Sequence, residues 1–243
     1  MKATVILPTY NEAGNIVGLV EEILKNFPPD VEPEILIVDD DSPDKTCEVA
    51  KKAFDGNLNV RVILRTADRG FAKSIRTGIE QATGELVIVM DTDFTHDPVE
   101  IPRMLHIARV CDIVSGSRFC AGGQMQDRRH YLASLAYNWL LRVLLHTQVQ
   151  DNLGGYFVMK RMHILALPLD EIFHGYGEYF FRLLYFAQRR GLKVIEIPAI
   201  YRARTYGSSK SSFPSMLYSY SRAAILLRIR SRNPMRRHDQ AAS

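Results

Sequence analysis

Glu85-Leu86-Val87-Ile88-Val89-Met90-Asp91-Thr92-Asp93 is an apolar run of the kind a buried strand carries, with two carboxylates, two positions apart, at its carboxyl end. Open α/β sheets bind their ligands at the carboxyl ends of their strands. Successive side chains on a strand alternate faces, so this spacing predicts that Asp91 and Asp93 emerge on one side, where they can hold one hard divalent cation. A cation held there can grip a diphosphate. An isolated Asp-x-Asp is also what a solvated acidic turn looks like, and the surrounding chain decides between the two.

On the amino-terminal side, residues 3–7 form a β-branched run ended by Pro8, and residues 13–26 follow with helical spacing at Ile16, Leu19, Val20, Ile23 and Leu24. Residues 34–38 are a second apolar strand running into Asp39-Asp40-Asp41, and residues 44–54 read as a helix with Val49, Ala50 and Ala53 inward. Residues 60–64 give a third strand and residues 70–83 a helix, which Gly84 stops before the run that carries the aspartates. Strands alternating with helices at this spacing predict an α/β fold with a mostly parallel sheet. Beyond it come a helix at 99–110, a strand at 112–115, a polar loop at 116–129 and an apolar helix at 131–145, whose Trp139 and leucines read as core. Strands at 154–159 and 194–201 flank a helix at 178–190, and residues 216–230 form a last amphipathic helix. The division this suggests is one domain over residues 1–215, with a basic helix and polar tail over 216–243.

The composition fits that reading. The chain has 243 residues, 47% hydrophobic and 24% charged, which is ordinary for one globular domain. Net charge is +4, and the excess sits late: from Met216 onward there are six arginines and one acidic residue, Asp239. Such a tail favours an anionic partner surface. Cys47, Cys111 and Cys120 lack zinc or C-x-x-C spacing, so they are expected as reduced thiols in a cytoplasmic protein. The first residues run straight into a strand pattern and no apolar run approaches the roughly 20 residues of a membrane-spanning helix. Membrane contact is therefore expected to be peripheral, on the cytoplasmic face, or made through a small membrane partner subunit. The basic residues lack the aromatic interleaving of a nucleic-acid module, and no nucleic-acid partner is expected.

Several further motifs share a common order. They are Leu7-Pro8-Thr9-Tyr10-Asn11-Glu12, Asp39-Asp40-Asp41-Ser42-Pro43-Asp44-Lys45-Thr46, Gly70-Phe71-Ala72 with Gly78 and Gly84, Met90-Asp91-Thr92-Asp93, Gly116-Ser117-Arg118 and Gly207-Ser208-Ser209-Lys210. With them the chain resembles a family 2, GT-A fold glycosyltransferase, most closely the polyprenol-phosphate (dolichol-phosphate) mannosyltransferase branch. The resemblance implies a Rossmann-like sheet and an inverting, metal-dependent transfer of a hexose, in the first place mannose from GDP-mannose, to a polyprenyl phosphate. A hydroxyl acceptor with a UDP- or GDP-sugar donor is the alternative.

The resemblance also implies roles. Pro8, Tyr10 and Glu12 line the nucleoside pocket with Asp39, and Asp41, Thr92, Arg204 and Lys210 join the donor-binding set. Three adjacent carboxylates at 39–41 are electrostatically unfavourable unless a ligand or neighbouring donors use them. Asp91 and Asp93 hold Mg2+ or Mn2+, which stabilises charge on the departing diphosphate, with Asp93 the more direct ligand. His96, in the same turn, reads as support for the carboxylates rather than a third ligand. Arg118, Arg128, Arg129, Arg204 and Lys210 suit the oxygens of a phosphate acceptor. A phosphate monoester is already anionic at neutral pH and needs little help from a base. A hydroxyl would need one, for which Asp151, then Glu178, is the candidate. The chain departs from the family pattern at Asp151-Asn152-Leu153-Gly154-Gly155-Tyr156, at Asp41 where glycine is usual, and at His130, which falls where an acceptor-loop arginine is expected unless Arg129 shifts into place.

Overall fold

The computed structural model describes residues 1–125, 128–201 and 213–232. β1 (Lys2–Thr9) is followed by α1 (Ile16–Asn26), β2 (Glu32–Asp39) by α2 (Thr46–Ala53), β3 (Val60–Leu64) by α3 (Phe71–Gln81), and β4 (Leu86–Val89) by α4 (Ile101–Ile107). The chain continues through β5 (Ile113–Ser117), β6 (Gln124–Met125), α5 (Arg128–Leu145), β7 (Phe157–Lys160) and two short helices, α6 (Arg161–Leu165) and α7 (Leu169–Ile172). It ends with α8 (Tyr179–Arg189), β8 (Val194–Pro198), β9 (Ile200–Tyr201) and α9 (Phe213–Arg232).

Seven strands form one sheet in the order β3-β2-β1-β4-β7-β5-β8. Only β7 pairs antiparallel with its neighbours, so the sheet is mostly parallel, as its alternating strands and helices predict. Both faces are covered. Ala3, Val5 and Leu7 of β1 point into a core with α1 and α4, while Ile6 points the other way, with Val87 and Val89, onto α3 and α8. This two-sided burial is why the strands read as unbroken apolar runs. Around β1 two close approaches use glycine: a Cβ at Gly84 would lie 2.7 Å from the Thr4 backbone nitrogen, and one at Gly78 would collide with Cγ2 of Ile6.

The chain order reverses between β1 and β4, and at such a point the helices on either side diverge and leave a crevice at the strands' carboxyl ends. Thr9, Asp39 and Val89, the last residues of β1, β2 and β4, bring the motif loops to it.

Three expectations change. The strand expected at 154–159 begins at Phe157, because Gly155 takes a left-handed φ of 77° and turns the chain before it can pair. Part of the polar loop at 116–129 is ordered: β6 pairs with β9 in a second small sheet, and α5 starts at Arg128. The helix read as core is only half so. Leu141 and Leu145 are buried against α8 and α9, whereas Trp139, Leu140 and Val143 are exposed.

Candidate active site

The loop after β1 is held by the loop after β2. Thr9 Oγ1 and Ser42 Oγ donate to Asp39 Oδ2 at 3.1 and 2.5 Å, and the Ser42 N–H donates to Oδ1 at 3.0 Å. In turn the N–H groups of Asn11, Glu12 and Ala13 donate to Ser42 Oγ, Thr46 Oγ1 and Asp44 Oδ2 at 2.9 to 3.0 Å. The three adjacent aspartates therefore point to three different partners. Asp39 is fully buried inside this brace and does not border the crevice. Asp41, at a left-handed φ of 55°, is exposed and pairs with Arg69 at 3.3 Å. Asp40 is the one that borders the crevice: it pairs with Arg65 and accepts the Gly70 N–H at 2.7 Å.

β4 ends at Val89, so Asp91 and Asp93 lie beyond the strand and strand alternation does not place them. Local hydrogen bonds do. The Asp91 N–H donates to His96 Nδ1 at 2.9 Å, Thr92 Oγ1 donates to the Pro8 carbonyl at 3.4 Å, and Asp93 Oδ1 accepts Thr95 N–H and Oγ1–H at 3.1 and 2.6 Å. Asp91, Thr92 and Asp93 all border the crevice. His96 is buried, stacks on Tyr156 at 4.8 Å, and holds Nε2 3.9 Å from Asp91 Oδ2. Burial lowers its pKa against the pull of Asp91 and Asp93. The imidazole is therefore neutral, and because Nδ1 accepts a hydrogen bond, the proton sits on Nε2, facing Asp91. It supports the carboxylate loop.

The donor set fits a magnesium- or manganese-like ion. Among the described residues no group of three or more His, Cys, Asp or Glu side chains could hold a metal alone. Two carboxylates at an open crevice instead match ions that take one or two protein oxygens and fill the rest of their sphere with phosphate and water.

Arg118 and Asp151 come together, but away from the crevice. Arg118 Nε and Nη2 donate to Asp151 Oδ2 and Oδ1 at 2.8 and 2.7 Å, and the Arg118 N–H adds a third bond at 3.0 Å. Asp151 is fully buried, and Arg118 lies over the rings of Phe119 and Tyr201 at 5.1 and 4.9 Å. Burial works against the charge on Arg118, but Asp151 more than offsets it and drives the pKa up. Glu178 is also buried, accepting the Tyr176 N–H at 2.9 Å. Arg204 and Lys210 lie outside the described residues, as do the side chains of Arg128 and Arg129.

The crevice has a volume of about 560 Å3. Its polar lining includes Tyr10, Glu12, Asp40, Arg69, Asp91, Thr92 and Asp93, with Pro8 beside them, and Phe71, Tyr176, Tyr179, Phe180 and Tyr220 supply an aromatic one. Asp40 and Phe71, quoted in the sequence motifs without a role of their own, and Tyr220 join the residues expected at the site. Phe71 follows the Gly70 of a motif already recognised there. Tyr220 comes from α9 and had no local signal beyond helical spacing.

Comparison with known proteins bears on the family and the fold. The family model described as Glycosyl transferase family 2 matches residues 4–166. A dolichol-phosphate mannosyltransferase of Pyrococcus furiosus is 32% identical over 217 residues, spanning 86% of this chain and 59% of that protein. An undecaprenyl-phosphate mannosyltransferase of Micrococcus luteus is 30% identical over 219 residues, spanning 87% of this chain and 88% of that one. Among solved structures, glucosyl-3-phosphoglycerate synthase from Mycobacterium tuberculosis, in complex with Mn2+, UDP-glucose and phosphoglyceric acid, superposes with a TM-score of 0.71 at 18% identity. That match covers 93% of this chain and 79% of the synthase. It shows the fold, the GT-A arrangement expected from the motifs.

Proposed function

This chain belongs to glycosyl transferase family 2, and we propose that it transfers a hexose, mannose from GDP-mannose in the first instance, onto a polyprenyl phosphate with inversion. The observation that carries this reading is the meeting of Asp91 and Asp93 with Pro8, Tyr10, Glu12 and Asp40 in one crevice at the sheet's reversal point. The names of the two mannosyltransferases above support the sugar and the lipid phosphate.

In this reading Tyr10, Glu12 and Asp40 take the nucleoside, and Thr92 lies beside the sugar. Asp39 acts through Thr9 and Ser42, and Asp41 through Arg69, so both position the donor loops rather than touch the donor. A bound Mg2+ or Mn2+, held by Asp91 and Asp93, would supply charge stabilisation to the departing diphosphate. Thr95 fixes the Asp93 carboxylate for that task, and His96 fixes the backbone at Asp91. The burial of both Asp151 and Glu178 favours an acceptor that needs no protein base. A phosphate monoester brings its own negative charge to the sugar carbon. Arg129, Arg204 and Lys210 are proposed to meet that phosphate. A lipid-borne acceptor brings the crevice to a membrane face, taken as the cytoplasmic one, with direct lipid contact or a small membrane subunit as the means of holding it there.

The test is transfer of radiolabelled sugar from GDP-mannose, GDP-glucose, UDP-glucose and UDP-N-acetylglucosamine to a short polyprenyl phosphate dispersed in detergent, with Mg2+, Mn2+ or chelator. The expected result is a lipid-extractable product from GDP-mannose that disappears with chelator. A donor that raises the melting temperature while no lipid is labelled would replace the phosphate acceptor with a hydroxyl one.

A further inference from the structure

We propose that Phe94 positions the carboxylate of Asp93: its ring, seated on α1, holds a left-handed turn that an unanchored side chain would leave. The inference deepens the metal-dependent reading above and rests on it.

The chain reverses between Asp91 and His96. The Asp91 N–H reaches forward to His96 Nδ1 at 2.9 Å, and Asp93 Oδ1 accepts both the N–H and the hydroxyl of Thr95 at 3.1 and 2.6 Å. Phe94 lies inside this reversal at a φ of 62°. Left-handed backbone brings Cβ too close to the following carbonyl oxygen. The other described non-glycine residues with positive φ are Asn11, Asp41, Lys45, Asp68 and His146, all polar. Asparagine, aspartate and histidine enter that region readily, whereas a bulky aromatic there is an outlier. Such an outlier persists only where the surrounding structure holds it.

The ring supplies the hold. Phe94 is half-buried against the core cluster that contains Leu7 of β1 and Ile16 and Leu19 of α1. Its Cζ lies 3.9 Å from where a Cβ on Gly18 of α1 would stand, so the ring rests on the bare backbone of that helix. The same helix starts from the nucleoside loop, where the Glu12 carbonyl accepts the N–H groups of Asn15 and Ile16 at 3.0 and 2.9 Å. Thr92 Oγ1, on the Pro8 carbonyl at 3.4 Å, ties the two loops a second time. Asp93 and Glu12 are thereby held in one frame before a ligand arrives. An ion that must meet a fixed carboxylate and the diphosphate of a bound nucleotide together gains from such a frame, because less ordering is left to the binding step.

Substitutions at Phe94 separate this role from plain packing, because the two predict opposite orders. A ring that only fills space is replaced best by the most apolar side chain, so valine would be milder than alanine, and alanine milder than glycine or asparagine. A ring that holds the turn is replaced best by residues that need no holding, glycine and asparagine, and worst by β-branched valine. Mn2+ is titrated into the full chain with GDP, and again with UDP, and the loss of the free ion's EPR signal gives the affinity. Each variant is measured below its own metal-free melting transition. Phe94→Gly and Phe94→Asn should bind Mn2+ within about threefold of the parent chain, and Phe94→Ala and Phe94→Val at least about tenfold more weakly. An order that follows apolar size, an equal loss in all four variants, or parent-like affinity in Phe94→Val overturns the inference and leaves the metal-dependent reading standing. A parent chain that takes up no Mn2+ with either nucleotide overturns both.

Discussion

A carboxylate without access to water, with a guanidinium on both of its oxygens, cannot take a proton from an acceptor unless the pair first breaks. Asp151 is in that position. Replacing it by asparagine leaves Arg118 charged, buried and half-paired, which should cost about 3 kcal/mol, read from urea unfolding. Adding Arg118→Met removes the stranded charge, so the double variant should be more stable than Asp151→Asn alone and regain transfer activity along with that stability. A double variant that folds well and stays inactive would return Asp151 to the role of base. Asp93 is the opposite case, at the crevice with its carboxylate held by Thr95 and proposed as a metal ligand. Asp93→Ala should lower turnover at least about 100-fold, the equivalent of roughly 3 kcal/mol of lost transition-state stabilisation, and abolish the gain in melting temperature that Mn2+ gives with GDP. That Asp91 and Asp93 stand at the crevice just beyond β4 could be read from sequence, because strand and carboxylates are contiguous. Which of Asp39, Asp40 and Asp41 faces the crevice could not, since the choice is made by Thr9, Arg65 and Gly70, each more than 20 residues away.

Elements were legible where one local pattern suffices. β3 falls on residues 60–64 as expected, because its apolar run and its flanking turns are local. The direction of β7 was hidden, because an apolar run reads the same parallel or antiparallel, and the two faces of α5 were hidden because composition does not say which face meets a partner. Ties between elements are equally non-local, and Glu34 shows their effect. Its carboxylate on β2 accepts Thr4 Oγ1 from β1 at 2.6 Å, the Thr83 N–H at 2.8 Å and Arg61 Nη1 from β3 at 2.9 Å. Burial raises its pKa, but the bonds from Thr4, Thr83 and Arg61 more than offset that and hold it below the ordinary 4.5. With the folded value depressed, this contribution is complete above pH 4.5 and is lost as pH falls through the lowered value. Glu34→Gln should therefore cost about 1–3 kcal/mol at neutral pH and flatten the acid limb of a stability-against-pH curve. A parallel, undiminished acid limb would remove Glu34 from that role. Packing of α3 on β1 is tested by Gly78→Ala, whose new methyl meets Ile6. A loss of about 1–3 kcal/mol is expected, and combining it with Ile6→Ala should destabilise less than the two losses summed.

For the whole molecule, the open question is whether the last helix is an appendage, as the division at residue 215 proposes, or part of the body. Tyr220, Ala224 and Leu227 are buried with Leu141 and Leu145 of α5 and Phe181 and Tyr185 of α8. Tyr220 also closes over the turn before α8, where a Cβ on Gly177 would collide with its hydroxyl. Removing residues 213–243 would uncover both sides of this cluster. At roughly 1.5–3 kcal/mol for each large apolar side chain returned to water, the loss is on the order of 5 kcal/mol or more, against a total of about 5–15 kcal/mol for a typical domain. The truncated chain should therefore be marginally folded, with a broadened thermal transition, and should lose the crevice wall that Tyr220 supplies. Tyr220→Phe separates these effects, because it keeps the ring in the cluster and removes only the hydroxyl over Gly177. It should leave the melting temperature within a few degrees while raising the KM for the acceptor more than that for the donor. A truncated chain that melts sharply at the full-length temperature would establish residues 1–215 as a domain in their own right, and would leave α9 only its place at the crevice.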